Sequence, residues 1–506
     1  MKKVITDYLD ETSNKYPRKT CILENKDNKI SFHAFANESK RIACYINKYN
    51  LFNKPIAIFI DKSIDTLKAM FGVLYSGNFY TVFDTASPKN RLDLVYNTLK
   101  PTLIITNNKC IEKLKSYNFD AQIINIDLID NKIDNKVIKG INQKMVGTNP
   151  AYVLFTSGST GVPKGSVITH KSVIAYIKWF IECFSIDNTT IFGNQSPFYF
   201  SMSVSDIYST MFTGATFCII PKINFTFTMN LVKYLNEFKI NTIYWVPSAL
   251  SIVANLNTFD YAKPKYLKKV LFAGEVMPTP TLNKWRKHLP NVLYGNLFGP
   301  TETTDICTYY IVNRKFKNNE SLPIGWPCNN CDILIVDEEG KECEAGSPGE
   351  LYVRGDFVGS GYYNNPEKTN DAFVQNPINK SYPEIVYKTG DLGKINKYGE
   401  IEYLGRKDFQ IKHMGYRIEL GEIEANITAL EGITTCACIY DENNKLIVLF
   451  YESSKLSVDD VIKYADQKLV KYMRPNKVIK VSKMPFNANG KIDRVKLKKD
   501  YLEMEG

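Results

Sequence analysis

Twelve residues constrain this chain more than any other stretch: Leu154-Phe155-Thr156-Ser157-Gly158-Ser159-Thr160-Gly161-Val162-Pro163-Lys164-Gly165. An apolar run, Tyr152 to Phe155, leads into them and reads as a buried strand, and a helical pattern begins near Ser172 after them. The loop combines glycines, hydroxyl side chains and one lysine. Glycines let the backbone turn tightly and bring N–H groups close to an anion, while hydroxyls and an ammonium add donors. That is phosphate-handling chemistry. The Walker pattern is absent, because no Gly-Lys-[Ser/Thr] follows a glycine at the required distance. A solvated Ser/Gly linker would not be bracketed by a strand and an ordered Val162-Pro163-Lys164-Gly165 end.

The rest of the chain extends the same architecture. Ile56–Ile60 reads as a strand, and Ser63 then caps a helix with Ile64, Leu67, Phe71 and Leu74 at helical spacing, stopped by Gly77. Leu103–Thr106 is another strand. Such alternation through residues 1–150 predicts a parallel sheet covered by helices. Residues 151–300 repeat it, with strands at Thr242–Val246 and Val270–Ala273. Residues 320–404 become Gly-rich with short strands (Asp332–Val336, Glu350–Val353, Glu400–Leu404), which suits a β-barrel-like subdomain. Beyond Arg406, a strand at Lys445–Tyr451 and a helix with a Ser457/Asp460 capping box ahead of Val461, Ile462, Ala465, Leu469 and Val470 suit a small separate domain. The expectation is an α/β chain with a large domain over 1–405 and a small mobile α+β domain over 406–506.

Composition serves to exclude. The net charge of +11 over 506 residues is spread along the chain, with no concentrated basic stripe of the kind nucleic-acid binders carry. A mild positive field favours acidic ligands or an acidic protein partner. No run of about 18 apolar residues exists, so no membrane span is expected. The charged first residues are unlike a signal peptide. The 11 cysteines are scattered: Cys328-Asn329-Asn330-Cys331 lacks a second pair at zinc-site distance, and Cys436 and Cys438 read as core. Reduced thiols in a cytoplasmic protein are the simplest expectation.

Four further stations share the theme of the loop. Asn296-Leu297-Phe298-Gly299-Pro300-Thr301-Glu302-Thr303-Thr304 offers an aromatic for a base, hydroxyls for phosphate oxygens and a carboxylate for a hard cation. Tyr387-Lys388-Thr389-Gly390-Asp391-Leu392 presents an acid on a turn, suited to ribose hydroxyls. Gly405-Arg406-Lys407-Asp408 opens the small domain. Asn489-Gly490-Lys491-Ile492-Asp493-Arg494 places a lysine on a turn near the end.

In this order the five stations resemble those of the adenylate-forming superfamily: acyl-CoA synthetases, luciferases and peptide-synthetase adenylation domains. The resemblance covers essentially the whole chain and is nearest to stand-alone enzymes such as the D-alanine:carrier-protein ligases. Phe272-Ala273-Gly274-Glu275-Val276-Met277-Pro278 is similar to their pattern, with Ala273 where they often carry cysteine. The resemblance implies ATP and Mg²⁺, and a carboxylate joined to AMP and then passed to a phosphopantetheine thiol. It implies that Lys491 bridges substrate carboxylate and nucleotide, that Glu302 holds Mg²⁺, and that Asp391 with Arg406 binds the ribose. Thr301, Thr156, Ser157, Ser159, Thr160 and Lys164 would hold phosphates. Gly274 and Glu275 line the nucleotide cleft, Asn296 meets the adenine edge, and Phe298 stacks on adenine where relatives usually have tyrosine. Asp408 is the implied hinge, with the segment near Gly415 swinging to the pantetheine channel.

The acid is less fixed. Amino-acid-activating relatives carry Phe-Asp-x-Ser, whose aspartate pairs with the α-ammonium. Here the stretch is Phe200-Ser201-Met202-Ser203, and a hydroxyl cannot offset desolvation of an ammonium as a carboxylate can. Asp206 matches a position behind the pocket and is expected to be structural. Met202, Ser205, Trp245, Leu271, Ala273, Leu297, Asp305 and Ile306 are the other implied pocket positions. Asp305 either meets an amine beyond the α position, as in β-alanine, or a hydroxyl, or faces solvent at a loop edge. A β-amino acid and an aryl or hydroxy acid both remain open. No carrier segment is apparent after Lys491, so the expected acceptor is a free phosphopantetheinylated carrier protein, or coenzyme A. The rivals are an acyl-CoA ligase, a D-alanine ligase-like enzyme and a non-catalytic paralogue.

Overall fold

The computed structural model describes residues 3–158, 162–407, 410–486 and 492–505. Two compact units divide the chain. Met1–Thr85, Leu99–Leu154 and Gly165–Lys407 form the larger; Ala86–Thr98, Phe155–Lys164 and Asp408–Gly506 form the smaller. A single cut near residue 405 therefore misses two excursions, one at a helix and one at the glycine-rich loop.

Among the described residues the larger unit is organised by two layered sheets. In the first, parallel strands Leu293–Phe298, Lys269–Phe272, Thr242–Trp245, Ile191–Asn194, Thr216–Ile219 and Thr20–Leu23 lie side by side, with antiparallel strands closing both edges. In the second the order is Gln122–Asn125, Leu103–Thr106, Pro55–Ile58, Phe79–Val82, Pro150–Thr156, Lys164–Thr169. Leu103–Thr106 is buried at every position, as an apolar run in a covered parallel sheet requires. The helix Ile64–Tyr75 starts where Ser63 accepts the Thr66 N–H and ends before Gly77 at φ +72°. The helix after the glycine-rich loop is His170–Cys183, two residues earlier than its apolar pattern suggests, because Thr169 accepts the Ser172 N–H as the cap. The hydroxyls of Tyr80, on the second sheet, and Tyr208, on the helix Ser203–Thr213, meet at 2.7 Å in the core.

The barrel-like subdomain is a five-stranded antiparallel sheet over residues 331–406. Its Ile335, Leu351, Val353 and Ile401 pack against Phe298 and Cys307.

In the smaller unit, strands Thr435–Asp441, Leu446–Glu452 and Lys477–Val481 carry the helices Leu420–Thr428, Val458–Lys468 and Arg494–Glu505. Cys436 and Cys438 face one core cluster and Ala437 and Ile439 another, so this strand is buried on both sides. Leu469 and Val470 lie past the end of the helix Val458–Lys468 but are still buried. A hairpin, Gln410–His413 with Tyr416–Glu419, turns through Met414 and Gly415, both at positive φ, as a two-residue hairpin loop demands.

Candidate active site

Of the positions expected to meet the acid, Ser201 and Ser205 stand beside Asp305. Thr304 sits at φ 70°, ψ −57°, and the Asp305 N–H donates to Thr303 O at 2.8 Å, so the chain makes a three-residue γ-turn. Such a conformation costs a β-branched residue about 1–3 kcal/mol, and the Thr304 hydroxyl, bonded to Phe357 O at 2.8 Å, helps hold it. Gly299 is required beside it, since a Cβ there would lie 2.4 Å from Asp305 O and 2.5 Å from Ile306 Cα.

The turn aims the Asp305 carboxylate inward, at 2 % exposure, so it is not a solvent-facing loop acid. Its Oδ2 accepts from Ser205 Oγ (3.0 Å), Tyr176 OH (3.0 Å) and Tyr244 OH (3.2 Å), and Tyr176 OH and Ser205 Oγ are themselves 2.7 Å apart. Burial pushes Asp305 up to about 6, against the opposing effect of the hydroxyls of Ser205, Tyr176, Tyr244 and Ser201. Ser201 also accepts from Thr301 Oγ1 at 3.4 Å, so a run of hydroxyls joins the Thr301-Glu302 station to the buried acid. Met202, Leu271, Ala273, Leu297 and Ile306 are buried, and Phe200 is half-buried with its ring 5.9 Å from Tyr199.

Trp245 takes no part in this group. Its indole N–H donates to Gly193 O at 2.7 Å, and its ring packs edge-on against Phe225 at 5.1 Å. Asp206 lies behind: one oxygen accepts from Asn194 Nδ2 at 3.1 Å, and burial raises it to about 7. Nearby, Lys62 Nζ donates to Gln195 O at 3.1 Å, and burial lowers it to about 7.

The larger unit also holds residues expected to meet the nucleotide. Asp391 lies within the strand Ile385–Ile395 rather than on a turn, next to a pairing irregularity between Leu392 and Gly393, with Gly390 at φ +72°. Arg406 NH1 stands 3.2 Å from its Oδ2 and donates to Thr389 O at 2.9 Å. Asp391 Oδ1 is buried without a donor among the described residues. Asn296 donates to Pro323 O at 2.8 Å, and the Phe298 ring lies 5.6 Å from Tyr403. Gly274 adopts φ +88°, and Glu275 accepts the Ser248 N–H at 2.8 Å. Glu302 is fully buried and accepts from Tyr362 OH at 2.7 Å.

These residues fit ATP and Mg²⁺ by their donor set. The Asp391 Oδ1, without a donor among the described residues, is the acceptor a ribose hydroxyl needs. Magnesium held by one or two carboxylates and substrate phosphates requires only a residue such as Glu302.

In the smaller unit, the loop lies against the hairpin and the helix Leu420–Thr428. Ser157 Oγ donates to Arg417 O at 2.7 Å and accepts the Glu419 N–H at 3.0 Å. The Gly158 N–H donates to Glu422 at 3.3 Å, and Lys164 Nζ stands 3.6 Å from Glu419. Glu422 also pairs with Arg91. Thr156 Oγ1 is buried without a partner among the described residues. Ser159, Thr160, Asp408 and Lys491 lie outside the described residues.

Tyr176, Tyr244, Tyr362, Arg91, Glu419 and Glu422 were not anticipated from sequence. Tyr176 and Tyr244 sit in an apolar helix and strand and read as core, and Tyr362 lies outside the named strands at an isolated bridge to Ser166; the charged three sit in unremarkable helical or strand patterns.

No described helix is long and apolar enough to cross a membrane. Comparison with known proteins agrees with the geometry. The chain is 32% identical over 450 residues to zwittermicin A synthase ZmaJ of Bacillus cereus, covering 87% of this chain and 84% of that one. It is 29% identical over 499 residues to the D-alanine--D-alanyl carrier protein ligase of Lacticaseibacillus casei (strain BL23), covering 96% and 97%. It is also 30% identical to bacitracin synthase 1 of Bacillus licheniformis, of which it spans only 9% of the length. The Vibrio cholerae adenylation domain AlmE, solved in complex with glycyl-adenosine-5'-phosphate, superposes with a TM-score of 0.84 at 18% identity, covering 99% of this chain and 98% of that one. An NRPS protein containing adenylation and PCP domains, bound to a vinylsulfonamide inhibitor, gives 0.84 at 20% identity, covering 98% and 84%. The AMP-binding enzyme profile matches residues 9–363, and with the stations in place the chain belongs to the AMP-binding enzyme family.

Proposed function

We propose that the chain is an adenylate-forming acid–thiol ligase that activates a small carboxylic acid with ATP and passes it to the phosphopantetheine thiol of a separate carrier protein. A carboxylate oxygen attacks the α-phosphorus, the bond to the β-phosphate breaks, and pyrophosphate leaves. The thiol sulfur then attacks the acyl carbon, the bond to AMP breaks, and the thiol proton passes to solvent. The run Thr301–Ser201–Asp305 carries the reading, because it joins a buried acid ringed by hydroxyls to the stretch expected to meet the phosphates.

Asp391 and Arg406 would hold the ribose, Asn296 and Phe298 the base, and Thr156, Ser157, Ser159, Thr160, Lys164 and Thr301 the phosphates. Lys491 would bridge acid and nucleotide, compensating charge that redistributes at the α-phosphate. Mg²⁺ held by Glu302 would supply further neutralisation of phosphate charge. Rotation about Asp408 would exchange the two half-reactions, so Asp408→Pro should spare pyrophosphate exchange and impair thioester formation.

Ser201 in place of a carboxylate disfavours an ordinary α-amino acid, D-alanine included. The buried Asp305 supports a β-amino acid, while an aryl or hydroxy acid would meet the same hydroxyls. Asp305→Ala should abolish turnover of β-amino acids and spare aryl acids. The carrier is preferred because the ligase from Lacticaseibacillus casei is named for one and a structural neighbour contains a PCP domain; coenzyme A is the alternative. ATP–pyrophosphate exchange over a panel of acids, followed by thioester formation with carrier or coenzyme A, tests the whole reading. No exchange with any acid would leave a non-catalytic paralogue.

A further inference from the structure

Two described donors of the glycine-rich loop, the Gly158 N–H and the Lys164 ammonium, face carboxylates. The Gly158 N–H points at Glu422 Oε2, 3.3 Å away, while the other Glu422 oxygen takes the Arg91 guanidinium. The Lys164 ammonium lies 3.6 Å from Glu419 Oε1, where it meets the Gln410 amide. Ser157 spends its hydroxyl proton on Arg417 O at 2.7 Å and accepts the Glu419 N–H at 3.0 Å. Glu419 and Glu422 are 6 % and 3 % exposed, so both acids depend on these partners rather than on water. Burial raises Glu422, with Arg91 and the Gly158 N–H working against the rise.

A backbone N–H, a serine hydroxyl and an ammonium on a glycine-rich loop are an anion-binding set. A carboxylate is the side-chain anion nearest to phosphate in its demand for such donors. We infer that Glu422 and Glu419 are positioning residues whose carboxylates occupy the phosphate-binding donors of Gly158 and Lys164, so that the hairpin-bound loop and the triphosphate-bound loop exclude one another. The inference rests on the loop being a phosphate site. Its consequence is an ordering: while the loop is held by Glu419 and Glu422, a new ATP is disfavoured, and arrival of a triphosphate releases the loop.

The test uses the full chain with Glu422→Gln and, separately, Glu419→Gln. Amide exchange at residues 155–158 reports attachment without any catalysis. Calorimetric titration with magnesium ATP, and with inorganic tripolyphosphate, reports competition. Each substitution keeps the shape but removes the charge, so the loop amides should exchange faster and both probes should bind about three- to tenfold tighter. In pyrophosphate exchange the gain should appear in the KM for ATP and not in kcat. A purely structural ion pair would instead lower the melting temperature and leave ATP affinity unchanged or weaker, which overturns the inference. So does amide exchange identical to wild type, whatever the activity. If neither probe binds wild type or variant, the phosphate-site reading falls as well. Should Glu422→Gln fold poorly through loss of its pair with Arg91, Glu419→Gln decides.

Discussion

Tyr244 and Trp245 are neighbours on one strand and serve opposite faces of it. The Tyr244 hydroxyl reaches Asp305 at 3.2 Å, and the Trp245 indole reaches Gly193 O at 2.7 Å. Alternation along a strand dictates that one points toward Asp305 and the other away from it. The bulkier residue is therefore spent on the core, and the preceding one adds a hydroxyl to the buried acid.

This arrangement separates two substitutions. Tyr244→Phe removes one donor to a buried carboxylate, worth about 1.5–3 kcal/mol, and should raise the KM for the acid in pyrophosphate exchange about tenfold or more. Trp245→Phe should lower the melting temperature and change that KM less than about twofold, the bond lost being far from the acid. The opposite pattern would put Trp245 in the pocket.

His170 predicts an acid-sensitive fold. It is fully buried, its Nδ1 accepts the Ile5 N–H at 3.2 Å, and burial lowers it to about 3 from the usual 6.5, with Asp7 opposing. The unfolded chain takes up a proton at this residue first as pH falls below 6.5, so stability is lost between there and about 3. The slope contributed is at most about 1.4 kcal/mol per pH unit. Denaturant titrations of wild type and His170→Asn across that range should show a shallower acid loss in the variant.

Asp391→Asn tests the ribose assignment. The wild-type carboxylate keeps one oxygen toward Arg406 at 3.2 Å and one unpartnered. The amide loses the charge that both Arg406 and a sugar hydroxyl would use, so the KM for ATP should rise at least about tenfold. The KM for the acid should stay close to wild type. An unchanged KM for ATP in the folded variant would remove Asp391 from the nucleotide site.

Ser457→Ala tests the capping box at the helix Val458–Lys468. Ser457 Oγ accepts the Asp460 N–H at 3.3 Å, and the Asp460 carboxylate accepts the Ser457 N–H at 3.0 Å. Its loss should cost about 1 kcal/mol, read as a shift in the chemical-denaturation midpoint, while pyrophosphate exchange at a temperature well below the transition stays constant.

Features governed by local chemistry were legible in the sequence. Leu103–Thr106 and the Ser63 cap follow from apolar runs and a single hydroxyl, and Cys436 and Cys438 announce a core strand by their period of two. Asp391 misled because Thr-Gly-Asp is a local turn signal, whereas pairing with the strands Gly349–Gly355 and Ile401–Arg406 keeps it in the sheet. The hydroxyls around Asp305 were hidden for another reason. Tyr176 and Tyr244 lie on regular elements far apart in sequence, and only the tertiary fold decides whether a tyrosine hydroxyl meets an acid. The attachment of residues 86–98 and 155–164 to the C-terminal segment leaves no trace in composition either.

The kink at Thr304 is braced from two directions. Its hydroxyl is fastened to Phe357 O, and its carbonyl is met at 3.4 Å by the hydroxyl of Tyr152. Tyr152 belongs to the strand that feeds the glycine-rich loop, and Phe357 follows a strand of the barrel-like subdomain. The bearing of the Asp305 side chain is thus a keystone shared by distant parts of the scaffold. Drift at either buttress would re-aim the acid without altering any of the hydroxyls around it, so the direction of this carboxylate can change through residues that never touch it.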